Sequence, residues 1–116
     1  MFAADRLFQI VDSGAQLNLQ ISQNPALAVW FSGSDCGVCR SLKPKLEELF
    51  SARFPAVRLV EVNCAELPEI AASHLVFSVP TLIIFLEGRE SLREGRNIAL
   101  SAFSARLQRS YDLLFQ

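Results

Sequence analysis

Histidine occurs once in this 116-residue chain and cysteine three times. Runs of basic residues are missing. The 11 Lys and Arg are scattered among 12 Asp and Glu for a net charge of −1, which removes the electrostatic case for nucleic acid or an anionic membrane surface. Long apolar runs are missing too: the longest, Val79 to Leu86, falls far short of the roughly 20 residues that cross a bilayer. The opening MFAADRLFQIV places Asp5 and Arg6 inside what would be the apolar core of a secretory signal, which argues against one. An odd number of cysteines fits a reducing, cytoplasmic setting better than a disulfide-stapled fold. Internal repeats and Pro/Gly/Ser-rich linkers are absent from the sequence. Residues 1–116 are therefore expected to form one domain, and a hydrophobic content of 51% is ample for its core.

What is present alternates between two periodicities. Leu7 to Val11 reads as a short first strand, and Asp12-Ser13 supplies capping residues for a helix ending near Asn24-Pro25. Ala26 to Phe31 is a continuous apolar run, the pattern of a central strand covered on both faces. Ser34 and Asp35 are candidate N-caps for a helix from about Cys36 to Phe54, with Leu42, Leu46, Leu49 and Phe50 as its apolar stripe and a kink expected at Pro44. Val57 to Asn63 is a further strand and Glu66 to Val76 a short helix. Pro80 to Leu86 is the strongest strand signal, and the Glu87-Gly88 turn folds Arg89 to Glu94 back antiparallel. Leu100, Phe103, Leu107, Tyr111 and Leu114 step by three or four and mark a closing amphipathic helix. The order βαβαβαββα implies an α/β domain, its central mixed sheet flanked by helices on both faces.

Cys36-Gly37-Val38-Cys39 carries the chemistry. Two thiols at i and i+3 on the first turn of a helix can close a disulfide and open it again. The nucleophile is the thiolate, and a helix N-terminus lowers a thiol's pKa through its unpaired N–H groups and dipole. Cys36 is accordingly the candidate attacking thiol, and Cys39 the candidate resolving thiol. Arg40 and Lys43, at i+4 from Cys36 and Cys39, favour thiolate, whereas Asp35 opposes it. A zinc site would need further ligands in pairs. Only Cys64 and His74 remain, ten residues apart, so no metal is expected. The bland alternative is a pair of inert core cysteines in a redox-silent fold.

These residues resemble the thioredoxin family over essentially the whole chain. The CGVC opens a helix after an apolar strand, Pro44 lies eight residues past Cys36, and Val79-Pro80-Thr81 precedes a strand and the Gly88 turn. The resemblance implies a thioredoxin fold and a cis peptide at Val79-Pro80 packed against the CxxC. It also implies that the Val79 backbone meets an extended substrate strand across Cys36. Pro80 would then shape a groove that Gly37, Val38, Val79 and Cys64 help to line.

The departures from that family pattern bear on mechanism. Thioredoxins typically carry Trp before the first cysteine and Pro before the second, where Asp35 and Val38 stand here. A buried Asp and its Lys partner on the neighbouring strand are replaced by Trp30 and Glu61. Glu61 is either a proton acceptor for Cys39 or a solvated strand-end carboxylate. Cys64, at the rim of the site, is either a modifiable third thiol or a small buried hydrophobe. His74 is expected to be solvated or capping, and Phe77 to pack in the core.

The function expected is a thiol–disulfide oxidoreductase acting on protein or peptide disulfides. It needs no cofactor and draws electrons from a thiol reductase or a low-molecular-weight thiol. An acidic neighbour that destabilises thiolate favours the disulfide, so reduction is expected over oxidation. No nucleic-acid or membrane partner is expected, and nothing demands more than a monomer. The rival from another class is a non-enzymatic module of the same fold that docks a protein partner or assists an assembly.

Overall fold

A computed structural model describes residues 7–116. Asp5 and Arg6, and the reading of the N-terminal signal, lie outside the described residues. The described elements are β1 Gln9–Ile10, α1 Gly14–Gln23, β2 Ala26–Ser32, α2 Gly37–Arg53, β3 Arg58–Asn63, α3 Pro68–Ser73, β4 Thr81–Leu86, β5 Arg89–Glu94 and α4 Leu100–Leu114. They build one five-stranded sheet in the order β1-β3-β2-β4-β5. β1, β3 and β2 run parallel, and β4 and β5 complete the sheet antiparallel. The expected α/β architecture with a mixed central sheet is therefore present.

Every residue of β2 is buried, because the strand lies mid-sheet with helices above and below. Its side chains alternate. Ala26, Ala28 and Trp30 join a core with Leu46, Phe50, Phe103 and Leu107 of α2 and α4, while Leu27, Val29 and Phe31 join one with Leu17, Ile70 and Ala71 of α1 and α3. Phe50 centres the first core, meeting Phe8 at 6.5 Å and Phe103 at 6.2 Å, both edge-on. Edge-on pairs set the positive ring edge against the negative face. Truncating so enclosed a ring to alanine costs about 3–5 kcal/mol.

Local chemistry sets the element ends. The Ser13 hydroxyl accepts from the Gln16 amide at 3.1 Å and caps α1. Glu87 and Gly88 both have positive φ, 51° and 81°, the backbone of the two-residue turn that matches strand twist between β4 and β5. Pro44 supplies no N–H, yet α2 continues through it.

Some boundaries differ from the sequence reading. The first strand is only Gln9–Ile10, with the Val11 amide adding one further bond to the Glu61 carbonyl. α3 begins at Pro68, a residue suited to the first helical turn because it lacks a donor to satisfy, and it ends at Ser73. Phe77 is not in the core: it is 81% exposed on the loop between α3 and β4. The short α3 ends before that loop, so Val76 turns inward and its neighbour outward.

Candidate active site

β2 delivers the chain to the C-terminal end of the parallel strands, where Gly33, Ser34 and Asp35 lead into α2. Ser34 and Asp35 were expected to cap this helix, but Cys36 does so. Its backbone is extended (φ −134°, ψ 102°), and its Sγ accepts from the Cys39 amide at 3.2 Å. Sulfur thus stands where a capping oxygen usually does, at the positive end of a 17-residue helix. Cys36 and Cys39 form a disulfide with Cα atoms 5.2 Å apart. Both are buried, Cys36 with 8% of its surface exposed.

Gly33 is demanded by a close approach. A Cβ there would lie 3.0 Å from Val79 Cγ2 and 3.8 Å from Cys36 Cβ, so the missing side chain lets the Val79 loop settle beside the cysteine. The Val79-Pro80 bond is cis, as the resemblance implied, and Pro80 is buried while Val79 is half-buried. Gly37 is exposed, with the Arg40 guanidinium 3.9 Å from where its Cβ would be. Val38 is half-buried and packs on the α2–α4 core.

Cys64 is a free, half-buried thiol, and burial pushes its pKa up. Together with Pro68, Ala71, Val76, Phe77 and Val79 it lines a shallow apolar cleft of about 280 Å³. The structure thus brings Cys64 and Val79 to one cleft. Apolar packing matches the small-hydrophobe alternative for Cys64.

Glu61 is not a solvated strand end. Its side chain is only 12% exposed and pairs with Lys43 Nζ at 2.6 Å. It also accepts a 2.7 Å hydrogen bond from the Ser32 hydroxyl. Strand register explains the arrangement: Glu61 lies beside Trp30, and Leu59 and Trp30 both face the α2 core, so Glu61 faces α2 as well. Lys43 reaches it from one turn beyond Cys39. The lysine read from sequence as a thiolate partner therefore neutralises a carboxylate instead. Trp30 is buried, and its indole N–H finds no hydrogen-bond partner among the described residues.

His74 caps α3, its ring set between Phe31 at 6.0 Å and Phe85 at 5.9 Å. Desolvation, reinforced by Arg93, holds its pKa below the usual histidine value. Ser32 and Gly33 escaped the sequence reading as site residues, and Lys43 was read as a partner of the thiols when it pairs with Glu61. For Ser32 the available signal was strand alternation, which puts it on the same face as Trp30.

A capped CxxC facing a cis-proline loop, on a mixed sheet covered on both faces, defines a thioredoxin-fold thiol–disulfide oxidoreductase. The thioredoxin family profile matches residues 9–107. A thioredoxin-like protein of Bacillus subtilis, YdfQ, is 32% identical over 93 residues, covering 80% of this chain and 82% of that protein. Thioredoxin of Alicyclobacillus acidocaldarius is 36% identical over 80 residues, 69% of this chain and 74% of that one. Among solved structures, mitochondrial thioredoxin 3 of Saccharomyces cerevisiae in its oxidised form aligns with a TM-score of 0.74. Its identity is 25%, over 90% of this chain and 93% of that one. The chain belongs to the thioredoxin family.

No helix among the described residues is long and apolar enough to cross a membrane.

Proposed function

We propose that this chain, as a single thioredoxin-like domain over residues 1–116, reduces protein or peptide disulfides. The observation that carries the reading is Cys36 at the cap of α2, one turn from Cys39 and beside Val79. An extended substrate segment lies along Val79, in the groove shaped by Pro80 and lined by Gly37, Val38 and Cys64. The Cys36 thiolate attacks one substrate sulfur. A Cys36–substrate disulfide forms, and the other substrate sulfur leaves as thiolate. Cys39 then gives its proton to Glu61, and its thiolate attacks Cys36 Sγ. The mixed disulfide breaks, the second substrate sulfur leaves and takes up a proton, and the protein is left with its Cys36–Cys39 disulfide. Two electrons return from a thiol reductase or a low-molecular-weight thiol.

Reduction is favoured over oxidation by the charges around the pair. Asp35 precedes Cys36, and Lys43 is occupied by Glu61, which leaves less positive charge to stabilise a thiolate. A less stable thiolate means a more stable disulfide and a stronger reductant. The free Cys64 thiol suits a reducing, cytoplasmic setting, and the domain acts as a monomer.

Insulin reduction driven by a generic dithiol tests the reading. The wild-type chain turns over, Cys36→Ser abolishes turnover, and Cys39→Ser accumulates mixed disulfides. No turnover by a wild-type chain with an intact Cys36–Cys39 disulfide would sink it.

A further inference from the structure

Helix α3 ends in a backbone motif that usually belongs to glycine. Leu75 has φ 58°, in the left-handed region; its amide donates to the Ala72 carbonyl at 3.0 Å, and the Val76 amide donates to the Ala71 carbonyl at 2.8 Å. These are the two bonds of a Schellman cap, with leucine at the position where a side chain is sterically penalised. Val76 and Ala71 are both buried in the same core, the apolar contact that accompanies such caps. Three residues after Val76 comes Val79, whose side chain touches the Gly33–Cys36 segment.

What holds this disfavoured turn comes from the far edge of the sheet. Arg93 of β5 donates from Nη2 to the His74 carbonyl at 2.7 Å and from Nη1 to the Leu75 carbonyl at 3.1 Å. Its fork is fixed in turn by Glu90, through Nε at 2.8 Å and Nη2 at 2.9 Å. Residues three apart on a regular strand point to opposite faces. A bulge makes this pair possible: Ile84 pairs with Leu92 and Phe85 with Glu90, so Ser91 is the extra residue. Arg93, opposite Ile83, and Glu90, opposite Phe85, therefore both emerge on the α3 face.

We infer that Arg93, oriented by Glu90, is a positioning residue for disulfide exchange: it clamps the end of α3 and thereby holds the Val76–Pro80 loop, the substrate-facing wall, against Cys36. The other end of the loop is pinned by the Thr81 hydroxyl donating to the Ser78 carbonyl at 2.8 Å, so losing the clamp loosens the loop without releasing it. The inference rests on the oxidoreductase reading. A small disulfide needs only Cys36, whereas an extended protein segment also needs the wall in register, so the clamp affects the second and spares the first.

The test compares Arg93→Met, Arg93→Lys and Arg93→Met/Leu75→Gly with the wild-type chain. Substrates are insulin and a small aromatic disulfide, and amide exchange is followed at Leu75 and Val76. Arg93→Met should raise KM for insulin roughly three- to tenfold, well inside the hundredfold that about 1 Å of misplacement can cost. It should leave the small-disulfide rate and the Cys36–Cys39 reduction potential unchanged and should speed amide exchange. Lysine, a single point charge, should restore only part of the loss. Glycine at position 75 relieves the backbone, so the double variant should recover melting temperature but not KM.

An unchanged insulin KM in Arg93→Met, or full KM recovery in the double variant, would overturn the inference. If Arg93→Met does not fold, Arg93→Lys and Glu90→Gln carry the same comparison. A wild-type chain that reduces neither substrate overturns the oxidoreductase reading instead. Exchange at Leu75 and Val76 then decides the clamp alone, unchanged rates ruling it out.

Discussion

Replacing Glu61 with Gln separates its structural contacts from the proton-acceptor role proposed for it. The amide is nearly isosteric and can still accept from Ser32, but it cannot pair with the Lys43 charge and cannot take a proton. A hydrogen bond to a charged group contributes about 1.5–3 kcal/mol and a neutral one about 0.5–1.5, so roughly 1 kcal/mol is lost at Ser32. The partly exposed Lys43 pair adds at most about 1 kcal/mol more. Together that is about 1–2 kcal/mol, or a fall in melting temperature of roughly 4–8 °C for a domain of this size.

The catalytic loss should be much larger than such a change implies. A positioned base contributes about 10²–10⁴-fold, so resolution of the mixed disulfide by Cys39 should slow by about a hundredfold near neutral pH. Rapid-quench alkylation of the Cys36–substrate intermediate reads this step directly. The penalty should shrink at alkaline pH, where hydroxide can take the thiol proton in place of the carboxylate. Equal resolving rates for wild type and Glu61→Gln across pH 6 to 8, measured well below both melting temperatures, would refute Glu61 as the proton acceptor.

Other consequences are open to direct measurement. The folded-state pKa of His74 is depressed below 6.5, so the unfolded chain takes up this proton first. Stability should therefore fall as pH drops below about 6.5, and His74→Gln should flatten that part of a denaturation-versus-pH profile. The thiol pKa of Cys64 is raised by burial, so its alkylation by iodoacetamide should be slower at pH 8 than that of a free cysteine; a faster reaction would contradict the packing described. Gly33→Ala places a methyl 3.0 Å from Val79 Cγ2 and should raise KM for a protein disulfide. The same change in a Val79→Ala background should be nearly silent, and additive effects would show that the two residues do not meet.

Much of the site was legible because it is local. Helix N-terminus, first thiol and second thiol one turn on follow from three-residue spacing, which no tertiary contact can change. Glu61 was harder. Alternation on β3 says that it shares a face with Leu59, but only the β2–β3 register sets it beside Trp30, and only the seat of α2 brings Lys43 to it. Phe77 was misread for a related reason. An apolar residue near a strand looks like core until the end of α3 shows which of two adjacent residues turns inward.

The Arg93 clamp is the clearest case of what lay beyond the sequence. Nothing in Arg89 to Glu94 announces a bulge, and in a regular strand Glu90 and Arg93 would face opposite ways. The sequence by itself determined the alternating α/β order, the apolar stripes of α2 and α4, and a CxxC at the head of a helix. All three depend on periodicity and caps, which act over a few residues. Tertiary structure decided which sulfur caps the helix, which hydroxyl and which lysine hold Glu61, and which guanidinium grips the end of α3. Those contacts join residues from 3 to 29 positions apart, and their geometry depends on register and on how α2 and α3 lie against the sheet.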